Sequence, residues 1–309
     1  MPAPLIRPIG PDELDLFTSF TDASPLGIKP PREMYLDGFR RWYRPEWSWV
    51  ALRDGEVIAR VAFTGAPDAD RPEVMDSLEI GTRPDRIETG TVLARTAYAA
   101  MSGPRERPRY HQFLPVDWHE RADCRAAVED RLTVARNVGL TYLTERLQLG
   151  WMAATGLPPR AGRLAFRPPP DDAVVLDVVG RTFTGTLDSR TRREAERHGL
   201  AVAVRSFVDG LPDSRPLWRL GYDAAGACVG LVVPDLGTDR WGPDIAYVGV
   251  LPEHRGRGYA HELLVEASQL LAERGAEEIG ATTDVGNVPM AAAFARCGYE
   301  VVDRLIVHV

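Results

Sequence analysis

Cysteine is scarce and scattered: Cys124, Cys228 and Cys297 are odd in number and far apart. Such a pattern supplies neither a disulfide framework nor the close pairs of a structural zinc site, so all three read as reduced, buried, structural thiols. Long apolar runs are missing too. The longest, such as residues 231–233 and 291–295, extend over a few positions, where crossing a bilayer takes about 20, so no segment is expected to enter a membrane. The first seven residues lack a charged region followed by an apolar one, which reads as a cytoplasmic chain without an export signal. Blocks of positive charge are absent, and the formal net charge is −7. Both argue against a surface that neutralises several nucleic-acid phosphates at once. Lysine is nearly absent, Lys29 being one of 37 basic residues, and this skew carries no functional inference. His111, Asp117 and His119 lie near one another in sequence but match no ligand spacing, so no metal is expected.

What remains suits a globular chain. The 309 residues are 44% hydrophobic and 26% charged, enough for about two domains with real cores. Proline and glycine thicken over residues 155–162 and 168–170, which places a boundary near residue 158 and gives domains of 1–157 and 158–309. Hydrophobic periods run in the same order in both halves: strand, helix (two in the second half, over residues 171–179 and 189–198), a pair of strands, a further strand, helix, strand, helix, strand. We read an internal duplication with little sequence identity. In the second half residues 258–274 carry apolar side chains at Leu263, Leu264, Ala267, Leu270 and Leu271, the spacing of a helix with one buried face. Asn287 can cap a later helix with Pro289 in its first turn.

One stretch carries chemistry. Residues 245–251 read as a strand, and Pro252-Glu253-His254-Arg255-Gly256-Arg257-Gly258-Tyr259-Ala260 as a turn that opens a helix. Glycines at 256 and 258 permit a tight turn and close backbone approach. The unpaired N–H groups and positive dipole end of the incoming helix make an anion site, to which Arg255 and Arg257 add charge. A glycine turn that merely joins strand to helix would look the same by itself.

These residues resemble the GNAT acyltransferase superfamily over roughly residues 163–309. Arg255-Gly256-Arg257-Gly258-Tyr259-Ala260 is similar to the family's pyrophosphate-binding signature. Val248-Gly249-Val250 resembles its bulged fourth strand, and Asn287-Val288-Pro289-Met290 with Phe294 and Gly298-Tyr299 resembles its last motif. The resemblance implies an α/β (α+β) fold of two tandem GNAT-like domains, each a mixed, largely antiparallel twisted sheet flanked by helices. It implies acetyl-CoA, or another acyl-CoA, as co-substrate. The diphosphate would rest on the loop of Arg255, Gly256, Arg257, Gly258, Tyr259 and Ala260, and the pantetheine arm would pair with Val248 and Val250 across Gly249, where two strands splay apart. Asn287 and Phe294 complete the implied cofactor contacts, and a backbone N–H near Val250 would stabilise the oxyanion.

The acceptor implied is a primary amine of a small molecule or peptide, whose ammonium form must lose a proton. The position at which the family often carries a base holds Asp244, which reads either as that base or as a solvated residue after the Gly242-Pro243 turn. Alternation places Asp244 on the side of Val248 and Val250 unless a bulge at Gly249 intervenes. Phe294 stands where the family's thiolate-protonating Tyr would be, and Cys297 reads as a buried thiol sooner than a nucleophile. The first half lacks the glycines: residues 81–90 carry Pro84, Asp85 and Glu88, from which we expect a kept fold and a lost cofactor site, with Trp42, Trp47 and Trp49 as substrate contacts or plain core. Mycothiol-synthase-like transfer, Fem-type aminoacyl transfer and an inactive acyl-CoA sensor or partner-binding module are the other readings. Assembly as a homodimer stays open.

Overall fold

The computed structural model describes residues 3–21, 24–26, 38, 41–101, 107–237 and 242–309. Two compact units make up the chain: residues 1–144 with 303–309 form unit one, and residues 145–302 form unit two. This differs from the boundary expected at residue 158, and the backbone hydrogen bonding gives the reason. Strand β6 (Tyr142–Met152), expected to close the first domain, pairs antiparallel with β11 (Glu278–Asp284) from Glu278↔Met152 to Asp284↔Arg146. Strand β12 (Glu300–His308) pairs with β5 (Arg109–Leu114), from Arg304↔Leu114 to His308↔Tyr110. A proline-rich stretch marks a break in local structure, but ladder partners decide which core a strand joins.

In unit one, β1 (Leu5–Pro8), β2 (Tyr43–Arg53), β3 (Glu56–Thr64) and β4 (Val74–Glu79) lie side by side and antiparallel, followed by β5 and the end of β12. The β2–β3 turn uses Asp54 and Gly55, both at positive φ (52° and 82°), as a two-residue hairpin of matching twist requires. Helices α2 (Arg86–Met101) and α3 (Ala122–Asn137) cover one face, where Leu93, Ala97 and Val134 pack with Trp49, Val61, Phe63 and Leu78. The alternate residues Val50 and Ala62 meet Phe17 of α1 (Leu14–Thr18) on the other. Trp47 and Trp49 are core residues of the first cluster, and Trp42 is half-buried against the second.

In unit two the order is β7 (Ala165–Arg167), β8 (Arg219–Tyr222), β9 (Cys228–Asp235), β10 (Asp244–Val250), β11 and β6. Helices α7 (Tyr259–Ala272) and α8 (Val288–Arg296) bury Leu263, Leu264, Leu271 and Phe294 against Val229, Val232 and Ile279. On the opposite face α4 (Asp172–Phe183) and α6 (Leu200–Asp209) set Val175, Val179, Val204 and Val208 on Leu220, Leu231 and Val233. Side-chain caps start α4 and α5 (Ser189–His198): Asp171 accepts from Val174 N–H and Asp188 from Thr191 N–H, at 2.9 and 2.7 Å. Helix α6 is absent from the sequence reading. Its Leu200-Ala201-Val202-Ala203-Val204 run offers no visible helical face, and burial at Ala203, Val204 and Val208 shows the three-and-four spacing only in context. Each unit is thus a mixed, largely antiparallel sheet flanked by helices. No helix among the described residues is long and apolar enough to cross a membrane.

Candidate active site

Strand β10 is bound to its two neighbours unequally. It pairs with β9 from Asp244↔Asp235 to Val250↔Gly230, but with the parallel β11 only at Asp244↔Gly280, where Gly280 N–H donates to Pro243 O at 2.8 Å. Beyond that bridge β10 and β11 part. Leu251 N–H donates to Val229 O at 2.9 Å, so alternation turns the peptide groups of Val248 and Val250 to the opposite edge, facing the opening. β11 leaves this edge, and while the Val250 carbonyl accepts from Arg255, the Val248 peptide groups and the Val250 N–H face the opening, as the resemblance implies.

A side chain at Gly249 is sterically excluded: a Cβ would lie 2.5 Å from the Tyr247 hydroxyl oxygen and 3.0 Å from Thr182 Cγ2. Tyr247 is half-buried, bonds Thr182 Oγ1 and packs on Phe207, and desolvation pushes its phenol up to about 12. The ladder shift lies between Ile245 and Tyr247, not at Gly249. Its consequence is a change of phase. Ile245, Val248 and Val250 face the α7 side, whereas Ala246 and Tyr247 face α4 and α6. Alternation back from Ile245 puts Asp244 on the face of Ala246, so the expected common side for Asp244, Val248 and Val250 does not hold.

After β10 a short turn, Pro252–His254, leads into residues 255–258. Gly256 has φ +75° and no heavy atom within 4 Å of where a Cβ would be; Gly258, at φ +83°, is the N-cap of α7, and no side chain caps that helix. An open cradle thus meets a helix start whose N–H groups await an acceptor, which suits a diphosphate. Arg257 is exposed beside it. Arg255 differs from expectation. Its guanidinium donates to Val250 O (3.1 Å), Thr182 O (2.8 Å), Thr184 O (2.8 Å) and Gly185 O (3.2 Å), so it clamps the end of α4 to the turn instead of offering charge to a ligand.

One supporting residue escaped the sequence reading. Arg163 donates to Arg257 O at 3.2 Å, pairs with the buried Glu262 carboxylate and lies 5.1 Å from the Tyr259 ring centre. It neutralises an acid in the first turn of α7 that would otherwise oppose an anion. No motif points to Arg163, which lies in the bend before β7, 99 positions away from Glu262.

The remaining expected residues divide. Asn287 occupies the N-cap position of α8 but its side chain makes no capping bond, leaving the amide available beside the opening's far strand. Ala260 and Tyr259 are half-buried at the helix start. Phe294 is 2% exposed and packs edge-on to Tyr299 at 5.1 Å, a core position with no surface for a cofactor. Tyr299 bonds Ser268 Oγ at 2.8 Å, and burial raises its phenol well above the ordinary range. Cys297 is fully buried, its thiol pushed up to about 12 by burial, with His261 Nδ1 at 3.1 Å; it stays a protonated, structural thiol. Asp244 is pushed up to about 7, first by burial and then by the Asp235 carboxylate across the ladder. A carboxyl at that value is half-ionised near neutrality and returns a proton readily, as a general base for an ammonium must.

The corresponding place in unit one is built otherwise. There β4 and the parallel β5 pair at Val74↔Arg109 and Met75↔Tyr110, then part. The gap is lined by Leu78, Glu79, Gln112 and Arg131, and Arg131 donates to Leu78 O (3.1 Å) and Glu79 Oε2 (2.9 Å). In the turn that follows β4, Asp85 pairs with Arg53 and Arg83 with Glu56, at 2.7 and 2.9 Å.

Residues 183–299 match the acetyltransferase (GNAT) family. An N-alpha-acetyltransferase MAK3 of Arabidopsis thaliana is 35% identical over 82 residues, 26% of this chain, and the match spans 43% of that relative's length. Among solved structures, a GCN5-related N-acetyltransferase from Sphaerobacter thermophilus superposes with a TM-score of 0.62 at 17% identity, covering 99% of this chain and 94% of its own. A tandem GNAT protein from the clavulanic acid biosynthesis pathway gives 0.51 at 16%, covering 99% and 97%. At such identities these two establish likeness of fold.

Proposed function

With residues 183–299 forming an acetyltransferase domain of the GNAT family as the premise, we propose that unit two transfers an acyl group, acetyl foremost, from coenzyme A to a primary amine of a small molecule or peptide. The observation that carries this reading is the open edge of Val248 and Val250 leading into the uncapped, glycine-cradled start of α7. The N–H groups of residues 256–260 hold the diphosphate, the Val248 peptide groups and the Val250 N–H bind the extended arm, and Asn287 flanks it. Acetyl coenzyme A, when bound, supplies an activated thioester. Asp244 takes the proton of the acceptor's ammonium, directly or through one water, and the Val250 N–H steadies the charge that builds on the carbonyl oxygen. Arg255 acts by holding Thr182, Thr184 and Gly185 against the turn. Unit one keeps the fold and has lost the donor site.

A second reading draws on the absence of a proton donor at Phe294: a module that binds acyl-CoA without transferring it. Thioester consumption with a panel of small amines and peptides separates the two. Transfer that Asp244→Asn lowers 100-fold or more, with donor affinity intact, is the expected result. Tight donor binding with no consumption across the panel would favour the sensor.

A further inference from the structure

We infer that Asp235, the last residue of β9, is a positioning residue that acts through Asp244 in removing the acceptor's proton. This rests on the reading of Asp244 as the base. The two carboxylates are direct partners in the antiparallel ladder, Asp244↔Asp235, where facing side chains project to the same side with Cβ atoms about 5 Å apart and like charges repel. The pair lies beside the one bridge from which β10 and β11 diverge. Among the described residues, Asp235 is the charged group that acts on Asp244. On β11 the facing residue is Gly280, and α4 and α7, which also pack on β10, bring no charge to it. Tyr299 is the other titratable group within its reach, a buried phenol that stays neutral. Among the described residues no cation pairs with either carboxylate.

An incoming ammonium supplies one. Held by the two carboxylates, it transfers a proton to Asp244: one N–H bond breaks, one O–H bond forms, the amine regains its lone pair, and Asp235 remains an anion. A lysine-like ammonium titrates near pH 10 and an ordinary aspartate near pH 4, a gap of roughly six units. Before the acceptor enters, burial and the facing charge bring Asp244 to about 7, so the carboxyl holds a proton more firmly than an ordinary aspartate would. The device also selects acceptors that arrive as cations.

The test uses the full chain. Carboxyl carbon resonances are titrated in the wild type, with Asp244 identified by its loss in Asp244→Asn, and again in Asp235→Asn and Asp235→Ser. Removal of the facing charge should lower the Asp244 midpoint by about one unit or more. The acid limb of the kcat/KM profile should move down by the same amount, and acetyl coenzyme A affinity should stay unchanged. A midpoint and an acid limb that stay where they were in both variants would overturn the inference. An inactive wild type would overturn the transfer reading instead, while the resonance titration still decides whether Asp235 governs Asp244. Full turnover by Asp244→Asn would overturn both.

Discussion

Two gaps between parallel strands, built on one plan, have opposite contents. In unit one β4 and β5 part after Met75↔Tyr110, and Arg131 of α3 binds the Leu78 carbonyl and the Glu79 carboxylate inside the gap. In unit two β10 and β11 part after Asp244↔Gly280, and the peptide groups of Val248 and the N–H of Val250 face the gap. The turns that follow differ in the same sense. One is fastened by Asp85–Arg53 and Arg83–Glu56 ion pairs, whereas the other has Gly256 in open space and Gly258 capping a helix without a side chain. The splay recurs in both units; what fills it differs.

Substitutions can break the contrast from either side. The largest effect on stability is expected for Arg131→Ala, which leaves the Glu79 carboxylate buried, both partners being at or below 5% exposed. Loss of one member of such a pair costs about 3–5 kcal/mol, read as a fall in the denaturation midpoint of unit one, with donor affinity in unit two retained. Asp244→Asn should lower turnover about 10²- to 10⁴-fold. It should also stabilise. A carboxyl whose folded value, about 7, lies above its ordinary 3.8 binds protons more tightly folded than unfolded, so it withdraws stability as pH rises from about 4 to 7. The variant should therefore melt higher than wild type at pH 8 and alike at pH 3.

Smaller effects sharpen the picture of the loop at residues 255–260. Gly258→Val forces a branched residue to φ +83°, a strain of about 1–3 kcal/mol, and should weaken acetyl coenzyme A by roughly tenfold or more in calorimetry. Arg163→Ala should weaken it by several-fold, because the Glu262 carboxylate then faces the anion uncompensated; Arg163→Ala with Glu262→Gln should restore much of the loss.

Much of this was legible in the sequence. Period and caps located most helices and strands, and the glycine spacing at 256 and 258 located the loop, because local backbone demands leave local marks. Three features were not legible. The partners of β6 and β12 are long-range choices that no local pattern reveals. The bulge between Ile245 and Tyr247 reverses the face of Asp244 without any glycine to announce it. The roles of Arg255, Arg163 and Asp235 depend on what each meets in space: Arg255 meets carbonyls, Arg163 a buried acid, Asp235 a second carboxylate. Phe294 shows the converse, a motif position turned to packing.

The central claim is that one of the two gaps takes the acyl donor. Calorimetry of the full chain with acetyl coenzyme A, beside Gly258→Val, tests it most directly. The account predicts one equivalent bound by the wild type and a marked loss of affinity in the variant. Two equivalents, or binding that Gly258→Val leaves untouched, would contradict it.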